Sequence, residues 1–122
     1  MGMVVLKKYL NKEKMTASFE LYNLKIEIDR IEGPALGRHK VGDYFEMIGE
    51  DIFIPEGQGF SIYAMSALLP LLPAKQRMTN ELDWMSTDWE VADPDPNFKA
   101  IYKISRTGKK VFTREETTLV EI

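Results

Sequence analysis

The stretch EGQGFSIYAMSALLPLLPAKQR, Glu56 to Arg77, differs in pattern from everything on either side of it. Gly57 and Gly59 loosen the backbone, and Ser61 offers a hydroxyl that can cap the first turn of a helix. From Ile62 to Leu69 every residue except Ser66 is apolar. A helix that is apolar on nearly all sides is a buried helix. Pro70 has no backbone donor and crowds the preceding turn, so it kinks or ends the helix, and Pro73 stops whatever continues. The stretch is therefore predicted as one buried apolar helix over about 60–73, at the centre of the core or of a subunit interface.

Strand patterns lie on both sides. In FELYNLKIEIDRIEG, Leu24, Ile26 and Ile28 alternate with Lys25, Glu27 and Asp29, the period of a strand with one buried face. Ile31 falls out of phase, which places a bulge or a strand end near Asp29–Arg30. EGPALGRHKVGD reads as a loop, YFEMI as a second strand, GED as a tight turn and IFIP as a third strand closed by Pro55. Beyond the helix, MTNELDWM fits one or two helical turns capped by Thr79 or Asn80. Trp89 to Ala92 is a short strand that runs into the turn DPDPN. FKAIYKISR alternates again, and Ile101 on its second side points to a strand covered on both faces or lying in an interface. RTGKK reads as a hairpin turn around Gly108, and VFTREETTLVEI as one or two closing strands. Strands, one helix, then strands predict an α+β fold, a mainly antiparallel sheet packed on one buried apolar helix.

The predicted domain spans 17–122. Residues 1–16 carry Lys7, Lys8, Lys12 and Lys14 against Glu13 alone. They read as a flexible or loosely docked arm, or as a short amphipathic element packed on a partner subunit. A length of 122 residues suits one domain with a real core. The net charge of −3 argues against a nucleic-acid partner, which needs clustered Lys and Arg. With no cysteine, disulfides, thiolate nucleophiles and Cys-ligated metals are excluded. The apolar runs are too short for a signal core or a bilayer span, so no membrane partner and a soluble cytoplasmic protein are expected.

The segments HKVGDYFE, PEGQGFSIYAMSALLPLLPAKQR and ADPDPNFKAIYKISRTGK, in this order and spacing, resemble the TIGR04076 family of small bacterial and archaeal proteins. The resemblance covers roughly residues 20 to 106 and implies a fold but no stated activity. Members similar to this chain often place cysteine where it has Ala35, Ser61 and Asp93. If those cysteines form a metal or redox site, this chain lacks it, and His39 with Asp93 would keep at most a remnant with harder ligands.

Three groups of residues could carry chemistry. His39 is the sole histidine, and an imidazole can serve as general acid, base or metal ligand. Its local orienters, Asp43 and Glu46, fall on different strand faces, and the alternative is a loop histidine bonded to backbone. PEGQGFS could bring a carboxylate or phosphate to backbone N–H groups near Gly57, Gly59, Phe60 and Ser61, although it matches neither a Walker loop nor a dinucleotide fingerprint. Asp83, Asp88, Asp93 and Asp95 could hold Mg²⁺ or Ca²⁺, or simply cap turns. Trp84 and Trp89, with Tyr63, could line a small-molecule pocket or anchor the core or an interface. The expected protein is a homo-oligomeric binding or accessory module for a small anionic ligand near His39, Lys40, Gly57, Gly59, Ser61, Trp84 and Asp93. Two alternatives stand beside it: a small enzyme using His39 as general acid or base on an organic acid, with or without a metal, and a small subunit of a larger partner enzyme. Cofactor and metal are left unknown.

Overall fold

The computed structural model describes residues 18–34 and 37–122. The predicted arm over 1–16 and Ala35 lie outside the described residues. The alternation around Leu24 forms β1 (Ser18–Ile31), and its partners are β2 (Tyr44–Ile48), β3 (Asp51–Phe53), β4 (Glu90–Ala92) and β5 (Ala100–Thr113). Among the described residues they form one sheet of order β3-β2-β1-β5-β4, with every neighbouring pair antiparallel. Ile28 pairs with Tyr102 while Arg30 pairs with Ile101, so Asp29 is the extra residue of a bulge where Ile31 loses phase.

The hairpin predicted around Gly108 does not form. β5 runs straight through it, because β1 is long enough to pair with Lys109, Lys110 and Val111 in turn. Asn23 pairs with Gly108 and Leu24 with Arg106, so Thr107 is absorbed as a second bulge. The closing strands end at Thr113. There Glu116 Oε1 accepts the Thr113 N–H at 2.7 Å and starts a short helix over Arg114–Thr117.

The predicted helix is α1 (Ile62–Leu68), a 3₁₀ turn (Leu69–Leu71) and α2 (Leu72–Lys75) in succession. Pro70 breaks the first piece as expected, but Pro73 opens the last piece rather than stopping it. In a first helical turn the N–H that proline lacks has no intrahelical partner anyway. Ala64, Leu68 and Leu72 fall four residues apart and bury one face against Leu24, Ile26, Ile28, Phe45, Ala100, Tyr102 and Ile104. The opposite face is open, with Ile62 75% and Tyr63 73% exposed, so burial is one-sided. The fold is α+β, two layers with the core between them. No described helix is long and apolar enough to cross a membrane.

The segment after α2 holds a 3₁₀ turn (Trp84–Ser86) capped by Asp83, whose Oδ1 accepts the Met85 N–H at 2.8 Å, and not by Thr79 or Asn80.

Candidate functional site

Three loops meet above one end of the core. The first holds His39. Asp43, buried, accepts the Lys40 N–H on Oδ2 at 3.2 Å, and its own N–H donates to the Lys40 carbonyl at 3.0 Å. The loop is pinned to β1 by Ile28 N–H to Asp43 O and Gly42 N–H to Ile28 O, both 2.9 Å. Gly42 turns at φ 94°, a conformation that favours glycine. Asp43 therefore ends the turn, and Arg38 and His39 stand on its outer side.

The second loop is PEGQGFS. Gln58 Nε2 donates to Tyr44 O at 2.7 Å and its Oε1 accepts from Tyr44 N at 3.2 Å, which extends β2 by a side chain acting as a strand. Phe60 then enters the core edge-on to Phe45 at 4.8 Å and 5.6 Å from the Tyr102 ring. Ser61 caps α1, its Oγ accepting from Tyr63 N at 3.2 Å and Ala64 N at 3.4 Å. Ser61 thus engages the Tyr63 and Ala64 N–H groups at the helix start, and the fixed positive charge beside it comes from Arg38.

The third loop is DPDPN, which folds as the two Asp-capped turns its sequence suggests. Asp93 Oδ1 accepts the Asp95 N–H at 2.7 Å, and Asp95 Oδ1 accepts the Asn97 N–H at 2.9 Å. The loop is tied to the start of the first by Gly33 N–H to Phe98 O at 3.0 Å.

Beneath it, the Tyr102 hydroxyl donates to Asp93 Oδ2. Burial, and then the hydrogen bond to Asp93, hold this phenol well above its ordinary value. The sign follows from linkage. The stabilisation is fully present below about pH 10, where the unfolded phenol is still protonated, and is lost as pH rises through the folded-state value, by up to about 1.4 kcal/mol per pH unit. Denaturant titrations above about pH 10 should fall more steeply for the wild type than for Tyr102→Phe. Equal slopes would show that Tyr102 is not the group responsible.

The loops enclose an open hollow of about 820 Å³, lined among others by Arg38, His39, Gly59, Ser61, Asp93 and Asp95 on its polar parts. Phe60, Ile62, Tyr63, Pro94, Pro96 and Phe98 supply the apolar parts. A smaller hollow of about 380 Å³ adjoins it, shares Arg38, His39 and Gly59, and adds Lys40, Gly57 and Gln58. Of the residues nominated from sequence, His39, Gly59, Ser61 and Asp93 therefore line one hollow, while Lys40 and Gly57 line its neighbour. Trp84 does not join them. It sits in the 3₁₀ turn 84–86, is 64% exposed and lines neither hollow.

Arg38 is the residue that sequence reasoning passed over. A methyl group added at Gly59 would sit 3.9 Å from Arg38 Nη2, so the guanidinium lies beside a residue with no side chain. The ion pairs among the described residues join Arg30 to Asp29, Glu32 and Glu90, and Lys109 to Glu20. Arg38 and His39 thus share a hollow with Asp93 and Asp95 without pairing to them. No three His, Asp or Glu side chains gather into a metal-binding cluster among the described residues. The acidic group is divided, since Asp83 caps the 3₁₀ turn while Asp93 and Asp95 shape the DPDPN loop. Comparison with protein-family models, curated proteins and solved structures finds no match to the chain.

Proposed function

We propose that this protein is a small-molecule-binding module that takes a small organic anion between Arg38 and His39. The observation that carries the reading is the meeting of these two side chains with an apolar-walled hollow of about 820 Å³. That is within the usual range for a ligand site, and an apolar lining with a few convergent polar groups is the usual composition. Arg38 presents a planar fork of donors that suits a carboxylate.

Binding is favoured over catalysis by what the neighbouring groups already do. A general base needs a partner that orients it. No hydrogen bond or ion pair joins His39 to Asp93, Asp95 or Ser61, whose bonds run to Tyr102 and Asp95 N, to Asn97 N, and to the first turn of α1. Titration of the whole chain with 3-phenylpropanoate, followed by amide chemical shifts, tests the reading. Shifts should concentrate on 37–40, 59–63 and 93–98, and Arg38→Gln should weaken binding at least about tenfold, or about 1.4 kcal/mol. Shifts elsewhere, or an affinity unchanged in Arg38→Gln, would overturn it.

A further inference from the structure

We infer that the hollow selects a zwitterion with an apolar body, the chemistry of a free apolar α-amino acid, a conclusion that rests on the anion-binding reading above. Charges of both signs line the same hollow, Arg38 from one loop, with the His39 imidazole beside it, and Asp93 and Asp95 from another. They are not neutralised by pairing with each other. A plain anion drawn to Arg38 would also face two carboxylates that repel it. A ligand that carries an ammonium beside its carboxylate turns that repulsion into a second attachment.

The acidic side has capacity to spare. An ionised carboxylate offers about four acceptor positions. Asp95 is exposed and gives one oxygen to the Asn97 N–H. Asp93 gives one hydrogen bond on each oxygen, to Tyr102 and to Asp95 N, and retains acceptor positions on both. The apolar part of the ligand has a place as well. Ile62 and Tyr63 are 75% and 73% exposed along the hollow and leave apolar surface for it to cover. Neither a bare phosphate nor a sugar uses all three kinds of wall.

Four probes separate the contributions in calorimetric titrations of the full chain. L-phenylalanine has both charges and the ring, 3-phenylpropanoate lacks the ammonium, phenethylamine lacks the carboxylate, and glycine lacks the ring. Phenylalanine should bind at least about tenfold tighter than each of the others. Asp95→Asn, which keeps an oxygen for the Asn97 N–H, should weaken phenylalanine and leave 3-phenylpropanoate unchanged or tighter. If 3-phenylpropanoate matches phenylalanine and Asp95→Asn alters neither, the zwitterion is wrong and the anion reading survives. If phenethylamine matches phenylalanine and Arg38→Gln has no effect, the anion reading itself fails. Absence of binding by all four probes to roughly 10 mM, weaker than about −3 kcal/mol, overturns both.

Discussion

Gly33→Ala is expected to cost about 3 kcal/mol of stability and to lower the melting temperature by roughly 10 °C. A Cβ at this position would lie 1.9 Å from the Asn97 carbonyl oxygen and 2.6 Å from that of Phe98. Both obstacles are backbone, so no rotamer change relieves the clash. The Gly33 N–H bond to Phe98 O and the Glu32 N–H bond to Lys99 O, each 3.0 Å, join the same two segments and would be strained together. Because these bonds hold the DPDPN loop, the variant should also lose ligand affinity out of proportion to its distance from Arg38. Gly59→Ala is the matched control. Its Cβ meets only Arg38 Nη2, at 3.9 Å, so its stability should stay within about 0.5 kcal/mol of wild type. Thermal and denaturant melts of the pair decide the matter, and two equal melting temperatures would refute the steric account.

Gly33 also marks the boundary of what the chain discloses without its fold. Periodicity located β1, β2 and the helical stretch, since alternation at Leu24, Ile26 and Ile28 and the apolar run after Ser61 are local signals. The loss of phase at Ile31 points to a bulge or a strand end near Asp29–Arg30, and the fold has a bulge there, at Asp29. Gly108 misled because a turn signal describes what a segment permits, whereas a strand is decided by its partner, here the long β1. The exposed side of α1 was likewise hidden, because composition does not say how many layers cover a helix. At the site, the sequence names His39, Gly59, Ser61 and Asp93 as one candidate group, and the fold that sets 37–40 beside 59–63 and 93–98 is what brings them to one hollow. Trp84 was nominated by the aromatic character of its segment, which does not say toward which part of the molecule that segment faces. Arg38 and Lys40 flank His39 in one turn, and nothing local says that Arg38, not Lys40, lines the larger hollow.

Lys75 was legible least of all, and it carries the other large expectation. In sequence it is one base in PAKQR, a residue type that is almost never fully buried unless paired. In the fold it is 1% exposed. Its Nζ donates to the Met85 carbonyl at 2.8 Å and to the Asp88 carbonyl, and it sits 4.2 Å from the centre of the Trp89 ring. The end of α2 thereby clamps the segment around the 3₁₀ turn. Arg106 braces the clamp from β5, donating to Lys75 O at 3.0 Å and Arg77 O at 2.9 Å. Lys75→Met keeps the aliphatic stem but leaves two half-buried carbonyls without their charged donor, for an expected loss of about 3 kcal/mol. Hydrogen exchange should accelerate first at Ser86, Thr87 and Asp88, whose N–H groups close the turn onto Asp83 and Trp84. pH separates this role from simple packing. Burial lowers the lysine's proton affinity, with Asp88 opposing, so the folded state holds this proton less tightly than the unfolded chain does. That penalty is present below the folded-state value and fades as pH rises from there to the ordinary lysine value of about 10.4. Wild-type stability should therefore gain over this window from Lys75, opposite in sign to the loss from Tyr102 above about pH 10. Lys75→Met should lack the gain while keeping the loss. A variant as stable as wild type, with unchanged exchange at 86–88, would mean that the two carbonyls find other donors and that the clamp is dispensable.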